Sequence, residues 1–389
     1  MLIGRTVELI GRLQADARVF ETSCSALIDV ERIDGRRYRG LTEVVLRPCP
    51  NPPQQGWQLK LTGALAAPQS SVHPLVFGPA KRLQRLGSWS QLRARQWQVL
   101  HQSWTPIADA RRLIAARFQQ VAGSQRGGLL AALVLGSAQV QLPAELREAF
   151  RVAGLSHALA ASGFHLSVVL GSVLAVGRGL SRPLRVLLGC CALIVFLTLA
   201  GGQPSVVRAV LMGATALLIR ESDQRSRGVG VLLLSLILML LFRPAWAHSI
   251  GFQLSAAATA GLTLSAPGFE KHLLLSCPSR MRWLASGIAV SCAALVWTLP
   301  LQLLHFGSTP LYALVANLLA APLLAPLTLS AMGLAVMALP YSLLVVLAWH
   351  VQQLAGLLIA LVHWISHWPA AQLLTGHPKP WVVFDWSLV

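Results

Sequence analysis

Acidic residues are the scarcest chemical group in this sequence. The chain has 389 residues with 14 Asp and Glu against 32 Lys and Arg, which gives a net charge of +18. From Leu155 to Trp368 the only acids are Glu221, Asp223 and Glu270. A lack of carboxylates argues against a cation pathway and permits an anionic partner such as a phosphate backbone. Basic loops on one side of a membrane, together with a basic domain, account for part of the same excess.

Cysteine is also sparse, and its spacing excludes the common metal sites. The six cysteines include no CxxC pair and no Cys/His cluster with the spacing of a zinc site, so we expect no metal and no cofactor. Cys24 and Cys49 lie in the polar N-terminal segment and are the pair that could form a disulfide. Such a bond requires that this segment face an oxidising compartment.

Long apolar segments dominate the last two thirds of the chain. Hydrophobic residues make up 54% of the sequence and charged residues 12%, about half the charged fraction of soluble proteins. This composition predicts an α-helical polytopic membrane protein, with a membrane domain over residues 128–368 and a C-terminal tail over residues 369–389. We expect about seven to nine spans, some shorter than the roughly 20 residues of a straight span. Pro322 and Pro326 predict a broken or re-entrant segment.

The first 65 residues are predicted to form a small β domain. Short runs of β-forming residues are separated by turn residues, and Asp34-Gly35 is a predicted hairpin turn. A small barrel of this kind often binds a ligand along an open face, and a purely structural module is an equal alternative.

Residues 66–127 are predicted to form a basic, aromatic connector. Its arginines and lysines alternate with Trp89, Trp97 and Trp104, a pattern that suits a nucleic-acid strand and suits a membrane interface slightly better. From Ile107 to Val121 the apolar residues fall on one side. This pattern predicts an amphipathic helix that lies against the membrane or caps the next domain.

Short basic loops predict the orientation in the membrane. If the loops at 178–185, 220–227 and 267–282 are cytoplasmic, the span that begins at Leu155 enters from outside. The β domain is then extracytoplasmic and the protein is a multi-pass protein of the plasma (inner) membrane. Because the given sequence opens directly in the β domain, we expect longer relatives to carry a preceding membrane segment.

An apolar stretch at residues 153–171 carries an unusual density of polar and small groups. They fall within ten residues and comprise Ser156, His157, Ser162, Gly163 and His165. Each unpaired polar group in hydrocarbon costs free energy, so these groups require a partner, a water-filled cavity or a ligand. The alternative is that they hydrogen-bond neighbouring helices.

A second polar cluster follows a break in the apolar pattern. Pro204 predicts a helix start, Ser205 follows it, and Arg208 lies one turn deeper with no acid nearby in sequence. We predict that Arg208 contacts a phosphate, with bonds to backbone carbonyls as the alternative. Gln253 suits a pore or a helix contact equally, and Asn317 is predicted to hold a helix interruption.

Four strings in this region resemble the ComEC family of competence membrane proteins. They are GLSHALAASGFHLS at 154–167, GGQPSVVRA at 201–209, GFQLS at 251–255 and ANLLAAP at 316–322. They occur in the family's order and place the resemblance over about residues 128–340. Residues 1–65 resemble the family's extracytoplasmic OB-like domain.

The chain also departs from the family pattern. Arg243-Pro244 stands where the family usually has Asp-Pro, and Ser137 and Ala138 stand where it commonly has an acid. Many relatives end in a metallo-β-lactamase-like domain, whereas this sequence has no HxHxDH string. The resemblance therefore implies that any nuclease is a separate protein or is missing.

The resemblance implies an inner-membrane channel for single-stranded DNA and no enzyme. The implied pathway residues are Ser156, His157, Ser162, Gly163, His165, Pro204, Ser205, Arg208, Gln253 and Asn317. The implied partners are membrane lipid, a DNA-delivery receptor and a cytoplasmic motor, and a pore within one chain or between two copies is equally open. The alternatives are a transporter of a small anionic solute and a truncated remnant that conducts nothing.

Overall fold

The computed structural model describes residues 3–20, 22–69, 80, 83–84, 87–221, 227–276, 278, 282–336 and 341–376. It divides into two compact units, Met1–Ala110 and Arg111–Val389. The first unit is built on a β-sheet and the second on helices. The mostly helical chain with a small N-terminal barrel agrees with the predicted fold class at this level.

The first unit is a seven-stranded sheet that closes into a small barrel. The strand order is β1-β6-β7-β5-β3-β2, β1 also pairs with β3, and β4 pairs with β3. All pairs are antiparallel except β5 with β7. The strands are β1 Thr6–Leu13, β2 Arg18–Phe20, β3 Ser23–Ile33, β4 Arg36–Arg37, β5 Leu41–Leu46, β6 Gln58–Ala66 and β7 Ser88–His101.

Two features of the sequence shape the strands of this sheet. Asp34 and Gly35 both have positive φ, as a tight hairpin turn requires, so the predicted turn between β3 and β4 is confirmed. The strand register shifts at Gly11 and at Gly63, and a Cβ on Gly63 would lie 2.2 Å from the carbonyl oxygen of Arg93. Glycine at these points therefore lets neighbouring backbones approach closely.

The barrel continues beyond residue 65, where the sequence analysis ends the β domain. β7 lies in the predicted connector and pairs with both β5 and β6. Leu92 and Ala94 are buried while Arg93 and Arg95 are exposed, so the basic residues mark the outer face of a strand. Lys81, Arg82 and Arg85 lie outside the described residues. The structure also joins Cys24 on β3 to Cys49 by a disulfide.

The second unit consists of helices joined mostly by short turns. The first of them, α1, bends at Gly123, where φ is 76°. α1 contains the predicted amphipathic segment and continues through the next apolar one. The helices are α1 Pro106–Leu135, α2 Ala144–Val152, α3 Ser156–Leu159, α4 Gly163–Val176, α5 Arg182–Ala200, α6 Pro204–Glu221, α7 Gly228–Phe242, α8 Ile250–Leu264, α9 Ala266–Ser276, α10 Arg282–Phe306, α11 Ala313–Val336 and α12 Tyr341–Ser366.

Four helices within the described residues are long and apolar enough to cross a membrane: Arg182–Ala200, Leu284–Phe306, Ala313–Val336 and Ala348–Ser366. Three shorter apolar helices lie at Gly163–Gly179, Gly228–Phe242 and Ile250–Leu264. The expected break at Pro322 and Pro326 was wrong, because both prolines lie inside one continuous helix. Each proline removes one backbone hydrogen bond, and the buried face of α11 packs on both sides of them.

Two apolar clusters organise the helical unit. In the larger one, residues 129–135 at the end of α1 are all buried among α2, α11 and α12. The smaller cluster packs α4, α5 and α6 together through Leu166, Leu193, Phe196 and Val206. The segment predicted as a tail is partly ordered, since β9 Gln372–Leu374 pairs with β8 Ser308–Pro310. The smaller cluster positions the polar groups described next.

Candidate functional site

The polar segment at residues 153–165 is not one helix. Gly154 has a φ of 80°, and a Cβ there would lie 2.7 Å from the Cβ of Ala313, so both conformation and space require glycine. The short α3 follows, and Ala160 and Ser162 then adopt extended conformations before α4 begins. The expected single span over 155–177 was therefore wrong, because an extended segment divides it.

Ser162 fixes the ring of His165 at the start of α4. The Oγ of Ser162 lies 2.9 Å from Nδ1 of His165. His165 is 1% exposed, and its Nε2 atom is buried with no hydrogen-bond partner among the described residues. Ser162 occupies the N-cap position, yet its side chain caps no backbone N–H. The first turn of α4 therefore lacks the usual side-chain acceptor.

The start of α6 is held by contacts that the sequence analysis did not identify. Arg111 donates to the carbonyl oxygen of Thr198 and, at 3.1 Å, to Oε1 of Gln139. Gly201 has a φ of 85°, and a Cβ there would lie 2.7 Å from Nε2 of Gln139. α6 then begins at Pro204, as predicted from its sequence. These contacts fix the break between α5 and α6.

Arg208 is buried on α6 and is held by two hydroxyl groups of α8. It is 8% exposed. Its Nε donates to Oγ of Ser255 at 2.7 Å, and its Nη1 donates to Oγ1 of Thr259 and contacts the sulfur of Met212 at 3.3 Å. Within the part of the chain that the structure describes, no hydrogen bond or ion pair joins Arg208 to a carboxylate or a backbone carbonyl. This differs from the backbone-bonded alternative considered above.

Three of the four sequence strings meet around Arg208. Its Nη2 atom lies 3.7 Å from the position that a Cβ on Gly163 would occupy. Ser205 donates to the carbonyl oxygen of Ala161 at 3.4 Å, which ties the start of α6 to the segment that precedes α4. Ser255 comes from the third string. The cluster thus combines a buried cation, hydroxyl groups and an uncapped helix start.

Other predicted site residues lie elsewhere. Gln253 donates to the carbonyl oxygen of Ala247 at 2.9 Å, and its Oε1 accepts from Nε2 of His305 at 2.7 Å. Both ends of this amide are therefore occupied, and Gln253 links α8 to α10. Asn317 donates to the carbonyl oxygen of Ala313 within its own helix. Neither residue hydrogen-bonds to the Arg208 cluster.

Ser156 and His157 lie just before the extended segment that leads into α4. Both are exposed on the short α3. Among the described residues, neither side chain hydrogen-bonds to Arg208, Ser255 or Thr259.

The described residues include no group of three or more His, Cys, Asp or Glu side chains arranged to hold a metal ion. The buried cluster instead presents positive charge and hydrogen-bond donors. Such a set suits an anion and does not suit a metal cation.

Several known proteins are similar to part of this chain. ComE operon protein 3 of Bacillus subtilis (strain 168) is 26% identical over 274 residues, which cover 69% of this chain and 34% of that protein. The uncharacterized protein YcaI of Escherichia coli (strain K12) is 28% identical over 220 residues, covering 52% of this chain and 29% of YcaI. An uncharacterized protein of Aquifex aeolicus (strain VF5) is 30% identical over 197 residues, covering 50% of this chain and 43% of that protein.

The chain spans less than half the length of each of these curated relatives. No solved structure matches it. A family model described as Competence protein matches residues 133–389. This region contains all four strings and more than half of the chain. The resemblance stated from the motifs is therefore confirmed, and the chain belongs to the competence protein family.

Proposed function

We propose that this chain forms a multi-pass channel for single-stranded DNA in the inner membrane during natural transformation. The observation that carries the proposal is the buried Arg208, whose described partners are two hydroxyl groups and a thioether sulfur and include no carboxylate. A buried arginine without a counter-charge is costly in hydrocarbon. A passing phosphate would supply the missing negative charge, so we expect Arg208 to attract the strand.

The hydroxyl partners favour transit over tight binding. A carboxylate beside Arg208 would neutralise it and repel phosphate, whereas Ser255 and Thr259 orient the guanidinium and leave its charge intact. Conduction requires sites that attract the strand and release it again. One cation among neutral hydroxyl groups meets both requirements.

The helices and loops support a membrane location with the β domain outside. The four long apolar helices and the three shorter ones supply membrane segments. The basic ends of α5 and α6 belong on the cytoplasmic side under the positive-inside rule. The disulfide between Cys24 and Cys49 suits an oxidising compartment, which favours an extracytoplasmic β domain.

The partners follow from the physics of transport. A channel supplies no driving force of its own, so we propose that a cytoplasmic motor pulls the strand and an outer receptor delivers it. We propose that ComE operon protein 3 and this chain share the membrane part of such a system.

Complementation of a deletion strain tests the proposal. Transformation frequency and entry of labelled DNA into the cytoplasm would be compared for the intact chain, Arg208→Ala and Arg220→Ala. Arg220 is the matched control, because it is an exposed arginine on the same helix. We expect the intact chain and Arg220→Ala to restore uptake, and Arg208→Ala to remain at the level of the deletion strain at equal membrane abundance.

Two outcomes would contradict the proposal. If Arg208→Ala restores uptake as well as the intact chain, the strand does not depend on the buried cation. If the stably inserted intact chain restores no uptake but mediates saturable transport of a small anion, the transporter alternative is the better account.

A further inference from the structure

We propose that the first turn of α4 and the guanidinium of Arg208 bind one phosphodiester group of the strand, and that Gly163 provides the space for it. This inference rests on the proposed function and names the part of the site that recognises the substrate. The anion would lie between the start of one helix and the free nitrogen of an arginine on another.

The start of α4 offers unsatisfied backbone donors. α4 has 14 residues, and its first N–H groups have no acceptor within the helix. The side chain of Ser162 bonds His165 and does not cap them. Among the described residues, the N–H groups of residues 163–165 donate to no carbonyl. These donors and the positive end of the helix dipole together favour an anion.

Arg208 is the independent sign that a ligand belongs there. Two of its guanidinium nitrogens already donate hydrogen bonds, Nε to Ser255 and Nη1 to Thr259. Nη2 has no hydrogen-bond partner among the described residues and lies beside Gly163, the first residue of α4. A guanidinium nitrogen beside an uncapped helix start can donate to phosphate oxygens together with the backbone N–H groups of that helix.

His165 adds a second buried group that lacks a partner. Its Nδ1 is bonded by Ser162, which leaves Nε2 as the free position of the ring. A buried unpaired nitrogen is costly unless a ligand completes it. The first turn of α4 therefore carries a buried ring nitrogen without a partner as well as its unpaired backbone N–H groups.

Gly163 decides whether the space stays open. A Cβ at this position would lie 3.7 Å from Nη2 of Arg208 and 3.9 Å from the Cβ of Ala209. These are ordinary contact distances, so alanine fits the empty protein without a clash. Its methyl group would nevertheless stand between the first turn of α4 and the guanidinium. Gly163→Ala should therefore block the anion without disturbing the fold.

Ligand binding by the purified full chain tests this site. The protein would be held in a phosphate-free maltoside detergent and titrated with thymidylyl-thymidine, which has one phosphodiester, while phosphorus NMR records binding. The uncharged methylphosphonate analogue and a short-chain phosphatidylglycerol are the two comparison ligands. The variants are Gly163→Ala and Arg208→Met, and Gly171→Ala is the control, because no atom lies within 4 Å of a Cβ there.

We expect the two site variants to bind the dinucleotide at least about tenfold more weakly than the intact chain and Gly171→Ala, since each loses charge-assisted contacts. The methylphosphonate analogue should bind the intact chain as weakly as the phosphodiester binds the variants. Equal binding by all four proteins overturns the site, because the dinucleotide then binds elsewhere. If the site variants lose only phosphatidylglycerol binding and still bind the dinucleotide like the intact chain, the ligand of this site is lipid and not the strand.

The uptake experiment and the binding experiment can give opposite results, and each combination rejects a different proposal. Site-dependent dinucleotide binding with no restored transformation would keep the phosphodiester site and reject the channel. Restored transformation with no effect of Gly163→Ala on binding would keep the channel and reject the site.

Discussion

Arg185 at the start of α5 donates two hydrogen bonds, of 2.9 and 2.5 Å, to the carboxylate of Glu221 at the end of α6. Glu221 is 6% exposed, and Arg182 lies 4.0 Å from the same carboxylate. The pair closes one end of the helix hairpin whose other end is the break before Pro204. It therefore fixes the position of α6, which carries Arg208.

The two partners of this ion pair should differ in their effect on stability. Arg185→Met removes the hydrogen-bonded partner of a buried carboxylate, whereas Glu221→Met leaves an arginine whose side chain is 26% exposed and can reach solvent. We expect Arg185→Met to lower the melting temperature of the detergent-solubilised chain more than Glu221→Met. Equal losses would show that Glu221 is better solvated than its burial indicates.

The sequence predicted the groups of the site better than their partners. Ser162, His165 and Arg208 stand out because each is polar within an apolar segment, and a helix start at Pro204 follows from the properties of proline. Ser255 lies 47 residues from Arg208, and only the packing of α8 on α6 brings the two together. The sequence contained one relevant pattern: Ser255 and Thr259 place two hydroxyl groups one helical turn apart on α8.

In the barrel, the last strand was not predicted although its pattern is present in the sequence. β7 was assigned to a connector because its arginines and tryptophans suit a surface, and exposure alone cannot separate an outer strand face from a loop. The burial of Leu92 and Ala94 between Arg93 and Arg95 has the strand period of two. That alternation was present in the sequence. The pairing of β7 with β5 and β6 could not be predicted, because it depends on residues that are distant in the sequence.

His165 should depend on its Nε2 atom for function and on its Nδ1 atom for position. Glutamine can place a nitrogen near the Nε2 position, and asparagine can place one near Nδ1. We expect His165→Gln to retain part of the uptake activity, and His165→Asn to keep the Ser162 contact and lose uptake. Transformation frequency at equal membrane abundance measures this. Full activity of His165→Asn would mean that the buried Nε2 takes no part in transport.

Gly154 should tolerate no side chain. Its φ of 80° is strained for alanine, and the new Cβ would press on Ala313 and Pro310. We expect Gly154→Ala to destabilise the chain by about 1–3 kcal/mol. Gly171→Ala is the control, because it adds a methyl group to open space on a neighbouring helix. The thermal unfolding of both variants in detergent tests the expectation, and matching melting temperatures would contradict it.

The disulfide of the β domain provides a test of topology. Cys24 and Cys49 are 25 residues apart, and a loop of that size predicts a stabilisation of about 3.5 kcal/mol in the chain-entropy description. In intact cells, both cysteines should resist alkylation until a reductant is added. Alkylation of Cys24 without a reductant would contradict an extracytoplasmic β domain. Cys24→Ser with Cys49→Ser should shorten the proteolytic half-life of this domain.

The geometry of Arg208 should matter as well as its charge. A lysine ammonium is a single point that cannot reach Ser255, Thr259 and the start of α4 together, whereas the guanidinium fork reaches all three. We therefore expect Arg208→Lys to insert normally and to lose most of the transformation activity, with Arg220→Lys unaffected. Full rescue by Arg208→Lys would mean that positive charge alone attracts the strand. Loss in Arg208→Lys alone would instead support a site in which two hydroxyl groups aim one arginine nitrogen at a phosphate.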